Sequence, residues 1–300
     1  RNALLAGVAI LALALLLAFA LARWLLTPVR ELAAATQALA AGDYARRIEN
    51  RRRDELGALA SDFNHLARTL EQHREARRRW GADIAHELRT PLSILRGEIQ
   101  ALQDGVRSAT PAALNSLHAE CERMGNLIED LYLLSLADVG ALEYRFESVD
   151  LAELVTDSLD AQAPQLEASG LTLETRFETA ASIRGDARRL GQLIDNLLIN
   201  TQRYTDAPGQ VHIGIEAERD AVLLVIEDSA PGVPVESLKL LFDRLYRVDA
   251  SRNRAVGGAG LGLAICRAIV LAHDGQIEAR PSSLGGLRIE VRLPVQKSTP

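Results

Sequence analysis

The sequence predicts a multidomain chain in which a transmembrane helix is followed by all-α helical bundles and then by a mixed α/β domain. Three observations predict this order. Residues 3–22 contain no charged side chain, residues 56–70 and 117–131 repeat apolar side chains at alternating steps of three and four, and strand-like segments alternate with helices after Glu143. A chain of 300 residues is also long enough for more than one hydrophobic core.

The uncharged N-terminal stretch has the length of a membrane span, because a helix over residues 3–22 would rise about 30 Å. Trp24 follows it as an interfacial aromatic residue, next to the positive charge of Arg23. The alternative is a signal peptide, since residues 20–22 resemble a cleavage site, but the hydrophobic region of a signal peptide is only about 7–15 residues long. We therefore expect a transmembrane helix within residues 1–26.

The charge and the cysteines exclude several classes of partner. A net charge of -6 argues against nucleic acid as the main partner. Cys121 and Cys266 lie in unrelated contexts without metal-ligand spacing, so we expect no disulfide framework and a reducing compartment. Because the chain begins at Arg1 and not at Met, we expect it to be a fragment that lacks whatever precedes the membrane helix.

Two helices joined by a basic connector are expected after the membrane span. An Ala-rich helix covers residues 28–41, the connector covers residues 46–53, and the second helix carries a heptad seam formed by Leu56, Leu59, Phe63, Leu66 and Leu70. An ordinary surface helix would also explain this seam. The strict spacing and the short connector favour a small parallel bundle in a dimer.

A helical hairpin follows, with helices over residues 72–102 and 111–138. Thr110 is a good N-cap and Pro111 suits the first helical turn. The second helix carries an apolar seam formed by Leu117, Cys121, Met124, Ile128 and Leu131. Exposed seams on one hairpin imply a four-helix bundle built from two chains.

The remaining residues predict five strands and three helices. The strands are expected at residues 171–177, 211–216, 222–227, 276–279 and 287–293, and the helices at residues 151–165, 186–204 and 261–273. Residues 229–259 form the only long irregular stretch that joins two of these elements. Such a mixed α/β domain has an ordinary size.

Three segments of this domain carry candidate binding residues. Asn196 and Asn200 lie four apart on one helix face, where their amide oxygens could hold a hard cation or its waters. Asp228 ends a buried strand and could accept a hydrogen bond from an exocyclic amine such as that of adenine. Taken alone, the two asparagines could equally belong to an ordinary polar helix face, and Asp228 could equally belong to an ordinary turn.

The third segment, residues 257–265 with the sequence GGAGLGLAI, opens a helix and suits phosphate, because glycines let backbone N–H groups approach closely. It lacks the Lys and Ser or Thr of a Walker loop, and no strand precedes it as in the Rossmann fingerprint. Arg247, Arg252 and Arg254 lie just upstream and could neutralise phosphates, although they could also be a solvated charged loop.

In order, these segments resemble the conserved boxes of membrane-bound sensor histidine kinases along essentially the whole chain. HELRTPL is similar to the H box, NLLINTQRY to the N box, DSAPGV to the first glycine box, LFDRLYR to the F box and GGAGLGLAI to the second glycine box. Residues 28–76, with the sequence DELG at residues 54–57, resemble a HAMP relay domain. The resemblance implies an α/β sandwich of the GHKL type for the ATP-binding domain.

The resemblance also implies a role for each matched residue. His86 would attack the γ-phosphate of ATP, Glu87 would act as its general base, and Thr90 would place water when the protein acts as a phosphatase. Asn200 matches the Mg²⁺ ligand and Asp228 the adenine-binding carboxylate. The other implied nucleotide-binding residues are Asn196, Arg203, Tyr204, Gly232, Arg247, Gly258, Gly260, Leu261 and Gly262.

On this basis we expect a protein-histidine kinase with ATP and Mg²⁺ as cofactors, acting as a homodimer and passing its phosphoryl group to an Asp of a response-regulator receiver domain. The expected domains are residues 1–26 (transmembrane), 27–76 (HAMP), 77–142 (dimerisation and phosphotransfer) and 143–297 (ATP-binding). The expected location is the bacterial inner membrane, contacted through residues 3–26, with the chain from about residue 27 onward in the cytoplasm.

The sequence departs from the family pattern at four positions. Ala230 stands where Gly is usual, Leu245 replaces the second Phe of the F box, Arg203 stands where Lys is common, and Thr201 where Ala is common. Three alternative functions stay open: a degenerate kinase acting as a dimeric scaffold, an ATPase clamp of the Hsp90 and gyrase type, and a regulator phosphatase without kinase activity.

Around His86 the helix is expected to have two faces with separate roles. Ile84, Leu88 and Leu95 lie on a face that holds the dimer, and His86 points to the opposite side. Pro91 lacks the N–H that would bond the carbonyl of Glu87, so a bend is expected at this site.

Overall fold

The structure, a computed structural model, describes residues 2–49, 52–177, 182–248 and 259–295. Its helices are α1 (Asn2–Ala40), α2 (Glu55–Gln103), α3 (Pro111–Asp138), α4 (Leu151–Ala168), α5 (Ala187–Tyr204), α6 (Val235–Leu238) and α7 (Gly262–Ala272). Its strands are β1 (Glu147–Asp150), β2 (Leu171–Phe177), β3 (Ser182–Gly185), β4 (Gly209–Ala217), β5 (Ala221–Ser229), β6 (Gln276–Pro281) and β7 (Gly285–Pro294). The chain divides into two compact units, residues 1–85 and 86–300.

In the first unit, α1 packs against the start of α2 through small and aromatic side chains. Ala35, Phe63 and Ala67 are buried together, and Leu32, Leu39 and Ile48 pack against them. The connector is held against this core because the side chain of Asn64 accepts the Ile48 N–H at 2.9 Å and donates to the Ile48 carbonyl at 2.8 Å. Within α1, residues 10–40 form a helix long and apolar enough to cross a membrane.

The start of α2 is held by an ion pair next to Trp24. The guanidinium of Arg52 lies 3.9 Å from the centroid of the Trp24 ring and donates to the Trp24 carbonyl at 3.0 Å. It also pairs with Asp54 at 2.6 Å, and Asp54 accepts the Gly57 N–H at 3.1 Å. Asp54 therefore caps α2, as its place before the first helical turn favours.

Two pairs of predicted helices are single helices in the structure. The membrane helix expected within residues 1–26 and the helix expected over residues 28–41 are continuous in α1. Likewise, α2 runs without interruption through residues 71–79, whose side chains are mostly good helix formers. Leu59 and Leu66 of the predicted seam are exposed within the single chain, whereas Phe63 faces α1.

In the second unit, α3 begins as predicted, because Thr110 accepts the Ala113 N–H at 3.2 Å and Pro111 occupies the first turn. Its predicted seam is only partly buried in the single chain: Leu131 is buried, but Cys121 and Ile128 are exposed. The C-terminal half of α3 packs against α7, where Leu134 is fully buried. The turn from residue 104 to residue 110 joins α3 to α2.

The ATP-binding region predicted from the sequence is a two-layer α/β sandwich, which confirms the fold class. A five-stranded sheet has the order β2-β4-β5-β7-β6, parallel between β2 and β4 and antiparallel elsewhere. Helices α4, α5 and α7 form the second layer. The five predicted strands are present, whereas β1, β3 and α6 were not predicted, since each covers only four residues.

The sheet face opposite the helices carries a ladder of charges. Arg288 of β7 donates to Glu227 of β5 at 2.7 Å and to Glu290 at 2.8 Å, and Arg292 donates to Glu290 at 3.1 Å. Burial alone would raise the pKa of Glu290, but the hydrogen bonds from Arg288 and Arg292 hold that pKa below its usual value. The two carboxylates are therefore ionised and paired, as buried charges require.

A buried histidine fixes the segment that enters this domain. His273 accepts the Asp186 N–H on Nε2 at 3.0 Å, so in this neutral ring Nδ1 donates to the Ile269 carbonyl at 2.8 Å. The rings of Tyr144 and Phe146 lie 5.6 and 5.1 Å from the His273 ring. The chain entering the domain is thus anchored from Tyr144 onward.

Replacing this histidine by an apolar side chain is expected to destabilise the domain. His273→Leu leaves the Asp186 N–H unpaired in the interior, at a cost of about 1–3 kcal/mol, whereas the Ile269 carbonyl keeps the hydrogen bond from the backbone N–H of residue 273 at 3.2 Å. We expect the midpoint of thermal unfolding to fall by about 2–4 °C per kcal/mol. His118→Leu, at an exposed position of α3, is the matched control. Equal midpoints for the two variants would contradict this role.

Candidate functional site

One face of α5 is buried in the domain core, and the other lines a cleft. The buried side chains are Leu190, Leu193, Ile194, Leu197, Leu198 and Thr201. Asp186 begins the helix by accepting the Arg189 N–H at 3.0 Å. The predicted residues Asn196, Asn200, Arg203 and Tyr204 are all half-buried and all line the cleft.

The side chain of Asn196 lies against the glycine-rich turn. A methyl group added to Gly262 would be 3.7 Å from the Asn196 side-chain amide carbon. The Nδ2 atom of Asn196 is buried and has no hydrogen-bond partner within the described part of the chain. An unpaired buried donor costs about 1–3 kcal/mol, so this amide fits a bound acceptor. Asn200 lines the same cleft one helical turn further along.

Asp228 is held at the end of β5 by backbone groups from the neighbouring strand. Its Oδ1 accepts the Leu287 N–H at 2.7 Å, and a Cβ at Gly286 would collide with that same oxygen. Burial raises the pKa of Asp228 to about 6, although the hydrogen bonds from Leu287 and Thr205 act to lower it. Near neutral pH the group is a carboxylate that faces the cleft and can accept a hydrogen bond.

At two glycines in the cleft wall, the neighbouring backbone leaves no room for a side chain. Gly260 has a φ of 69°, and a Cβ there would lie 3.0 Å from the Tyr246 carbonyl oxygen. A Cβ at Gly232 would lie 3.0 Å from the Gly285 carbonyl oxygen. Gly258 lies outside the described residues. The backbone at Gly260 and Gly262 is therefore free to approach a ligand closely.

Arg247 and Leu261 occupy different positions in the wall. The Nε and Nη2 atoms of Arg247 are buried and have no partner among the described residues, so they are free to bind an anion. Leu261 borders the cleft but is only 1% exposed, so its side chain contributes packing and not a polar contact.

The opposite wall belongs to the helical hairpin. His86 and Thr90 are exposed, Glu87 is half-buried, and Pro91 is buried. The helix continues through Pro91, and the Thr90 hydroxyl donates to the His86 carbonyl at 3.3 Å. His86, Glu87 and Thr90 line the same cleft as Asn200 and Asp228.

This shared cleft has a volume of about 1970 Å³. Within the described residues no three His, Cys, Asp or Glu side chains converge as a metal site. A divalent cation here would need amide oxygens and the oxygens of a ligand. The unpaired donors of Asn196 and Arg247, together with the space at Gly260 and Gly262, fit a nucleoside polyphosphate.

Sequence reasoning missed the residues that hold Asp228 in place. Gly286 and the Leu287 N–H come from the first residues of β7, and the Gly-Gly pair at residues 285–286 was the available signal. It also missed Asp130 of α3, which lines the cleft and whose pKa is raised to about 6 by burial and by Glu129. No sequence motif identifies Asp130, because it is a single carboxylate within a helical pattern.

Three family matches cover most of the chain. Residues 20–72 match the HAMP domain, residues 76–140 the His Kinase A (phospho-acceptor) domain, and residues 185–297 the Histidine kinase-, DNA gyrase B-, and HSP90-like ATPase.

Similar proteins agree with these matches. The chain is 48% identical over 96% of its length to the signal transduction histidine-protein kinase BaeS of Escherichia coli (strain K12), covering 62% of that protein. It is 33% identical over 96% of its length to the sensor protein CutS of Streptomyces coelicolor, covering 70% of it. The likeness to BaeS that the segments SAPGV and SRNRAVGGAGLGLAIC predict is thereby confirmed.

A solved structure supports the same family. The histidine kinase AdeS of Acinetobacter baumannii superposes with a TM-score of 0.61 at 30% identity, over 71% of this chain and 98% of that one. The chain belongs to the sensor histidine kinase family. It spans less than two thirds of several curated relatives, including 62% of BaeS and 60% of SphS of Synechococcus elongatus.

Nucleotide binding is expected to weaken in mild acid because of Asp228. The carboxyl has a pKa of about 6, so it is ionised above that pH and becomes protonated as the pH falls through it. If Asp228 accepts from the adenine amine, as the resemblance implies, protonation removes that charged acceptor, and we expect ADP affinity to fall about tenfold between pH 7 and pH 5, since hydrogen bonds to charged groups contribute about 1.5–3 kcal/mol.

Titration calorimetry with ADP checks this expectation, with Asp228→Asn as the matched variant. The Asn side chain keeps a carbonyl acceptor but does not titrate, so the difference between parent and variant removes the contribution of the ADP phosphates. An affinity that changes equally with pH in both proteins would contradict the role of Asp228.

Proposed function

We propose that the protein is a sensor histidine kinase that phosphorylates His86 from ATP and transfers the phosphoryl group to an aspartate of a response regulator. The observation that carries the proposal is the shared cleft: His86 on one wall faces Asn200, Asp228 and Arg247 on the other. The HAMP and phospho-acceptor family matches on the first half of the chain support it.

In this proposal the nucleotide lies along α5. Asp228 accepts from the adenine amine, and Tyr204 lines the adenine end of the cleft. Arg203 and Arg247 supply positive charge near the phosphates, with Asn196, Gly260 and Gly262 at the turn that opens α7. Gly232, Gly258 and Leu261 complete the set by resemblance to the family.

Asn200 is proposed as the protein ligand of Mg²⁺. Its amide oxygen is a hard ligand, and Mg²⁺ is usually bound by few protein groups together with substrate phosphates. The bound ion would neutralise phosphate charge. Asn200 orients that site because α5 is buried along its whole opposite face.

Phosphorylation requires a neutral imidazole and a proton acceptor. A ring nitrogen of His86 attacks the γ-phosphorus, the bond to the bridging oxygen breaks, and ADP leaves. Glu87, the next residue on α2, accepts the proton that the imidazole loses. Positioning and electrostatic stabilisation carry most of such a reaction. Thr90 would place water for removal of phosphate from the regulator.

The partners follow from the exposed surfaces and from the family. Leu59 and Leu66 of α2 and Ile128 of α3 are exposed within one chain, which supports a homodimer formed along these helices. Residues 3–26 are proposed to contact the bacterial inner membrane, with the chain from about residue 27 in the cytoplasm. The kinase ThkA, 20% identical, is known in complex with the response regulator protein TrrA, and the resemblance to it is one of fold.

The alternatives differ from this proposal in specific residues. A scaffold would not require unpaired buried donors at Asn196 and Arg247. An ATPase clamp of the Hsp90 and gyrase type would not require a phospho-acceptor domain such as that of residues 76–140. A phosphatase without kinase activity would bind ATP without labelling His86.

Labelling of His86 is the direct test. Incubation of the full chain with Mg²⁺ and ATP labelled on the γ-phosphate is expected to give acid-labile, alkali-stable phosphate on the protein. His86→Ala should remove the label, whereas His118→Ala, at an exposed position of α3, should label as well as the parent. Equal labelling of the His86→Ala variant would refute the assignment.

The role of Asn200 is tested separately from folding and assembly. Asn200→Ala is expected to abolish labelling, because the cation loses its protein ligand, while light scattering shows an unchanged dimer. Asn115→Ala, at an exposed position of α3, is the matched control. Undiminished labelling of Asn200→Ala would exclude Asn200 as the Mg²⁺ ligand.

A further inference from the structure

Arg189 carries a guanidinium group that lines the cleft at the start of α5. Its Nη1 donates to the side-chain oxygen of Gln192 at 3.0 Å, whereas its Nε is buried and has no hydrogen-bond partner among the described residues. A buried donor without a partner is destabilising, and more so in a charged group. An acceptor that binds in the cleft beside Arg189 would remove this penalty.

The charge of Arg189 has no ion-pair partner within the part of the chain that the structure describes. The carboxylate of Asp186, three residues earlier, accepts the backbone N–H groups of Arg189 and Arg145 instead. Burial, and after it the like charge of Arg188, lowers the pKa of Arg189, but a guanidinium stays protonated at physiological pH. A partly buried cation of this kind attracts an anion into the cleft.

The place of Arg189 along α5 is beyond the phosphate-binding residues of the proposed nucleotide site. In that site the adenine lies near Tyr204 and the phosphates lie near Asn196. Gln192 is one helical turn before Asn196 on the same face, and its hydrogen bond brings the Arg189 guanidinium to the same level. The guanidinium is therefore about 6 Å further along the helix axis than Asn196, on the side away from the adenine.

This end of α5 is also the end next to the helical hairpin. The chain leaves the hairpin through Tyr144, whose pKa is raised by burial and lowered by the nearby charge of Arg189. Arg189 lines the same cleft as His86 and Glu87. A phosphoryl group that passes from the phosphate end of α5 to His86 therefore crosses the part of the cleft that Arg189 lines.

We propose that Arg189 is a catalytic residue that binds the γ-phosphoryl group while it passes from ATP to His86. The proposal rests on the proposed kinase function and adds a residue to it. Arg189 forms no covalent bond. Its Nε–H donates to a non-bridging oxygen while the bond from the His86 nitrogen to phosphorus forms and the bond to the bridging oxygen breaks. ADP leaves with the bridging oxygen, Glu87 takes the imidazole proton, and Arg189 stabilises the charge of the transferring group.

A binding test compares two nucleotides that differ in the γ-phosphate. Titration calorimetry of the full chain in detergent, with Mg²⁺, measures the affinities for ADP and for the non-hydrolysed β,γ-imido analogue of ATP. Arg189→Gln is expected to lower the affinity for the analogue about tenfold and to leave that for ADP unchanged, because a hydrogen bond to a charged group is lost. Arg184→Gln removes the same charge from an exposed side chain of β3, stacked on Phe146, and should change neither affinity.

A kinetic test measures the initial rate of His86 labelling at saturating ATP. The rate of Arg189→Gln is expected to fall about 100-fold, as for other lost donors to a transition state. Arg189→Lys keeps the charge but not the Nε donor and should give an intermediate rate, so it replaces Arg189→Gln if that variant fails to fold.

Two results would overturn the role of Arg189. One is an equal change in affinity for both nucleotides, including no change, because only a contact with the γ-phosphate separates them. The other is a parental labelling rate in Arg189→Gln. A parent that binds both nucleotides but is not labelled would overturn only the kinase function, since the comparison of affinities does not depend on labelling.

Discussion

The carboxylate and the N–H of Asp186 together hold three parts of the ATP-binding domain. The carboxylate accepts the Arg189 N–H at the start of α5 and the Arg145 N–H of the entering segment, while the backbone N–H donates to His273 at the end of α7. Burial alone would raise the pKa of Asp186, but these hydrogen bonds and the nearby Arg188 hold it below its usual value. The group stays ionised, and α5 is fixed at its first turn.

The position of α5 determines most of the nucleotide site. Because the aliphatic face of α5 is fully buried against the sheet and α7, the opposite face holds Asn196 and Asn200 at fixed positions along the cleft. Asp228 is fixed independently, by the Leu287 N–H of the adjacent strand. A helix held along its buried face and a strand end held by its neighbour thus define the two ends of the cleft.

The sequence was sufficient for the fold class and for the residues that carry a family pattern. The strands of the central sheet were predicted because their apolar residues alternate with polar ones or, in β5, form a continuous run. The start of α3 at Thr110 and Pro111 was predicted because capping is a local property. The short strands β1 and β3 were missed, since four residues carry too little periodicity. The continuity of α2 was missed because the heptad seam ends at Leu70 although the helix does not.

The residues of the candidate site also divide into those that the sequence could predict and those that it could not. His86, Asn200 and Asp228 could be predicted because each lies in a motif of fixed spacing, and the structure brings all three to one cleft. The supporting groups could not be predicted, because Gly286 and Leu287 act on Asp228 from residues nearly sixty positions away along the chain. Backbone N–H groups carry no side-chain signal, so only the strand register identifies them.

The charge ladder on the outer face of the sheet makes that face compatible with water. Glu227, Arg288 and Glu290 satisfy one another there, so the sheet needs no protein layer on its second side. The ATP-binding domain can consequently bury its sheet with the single layer formed by α4, α5 and α7. Because the uncovered face carries paired charges in place of an apolar patch, it offers other proteins no large apolar surface on which to aggregate.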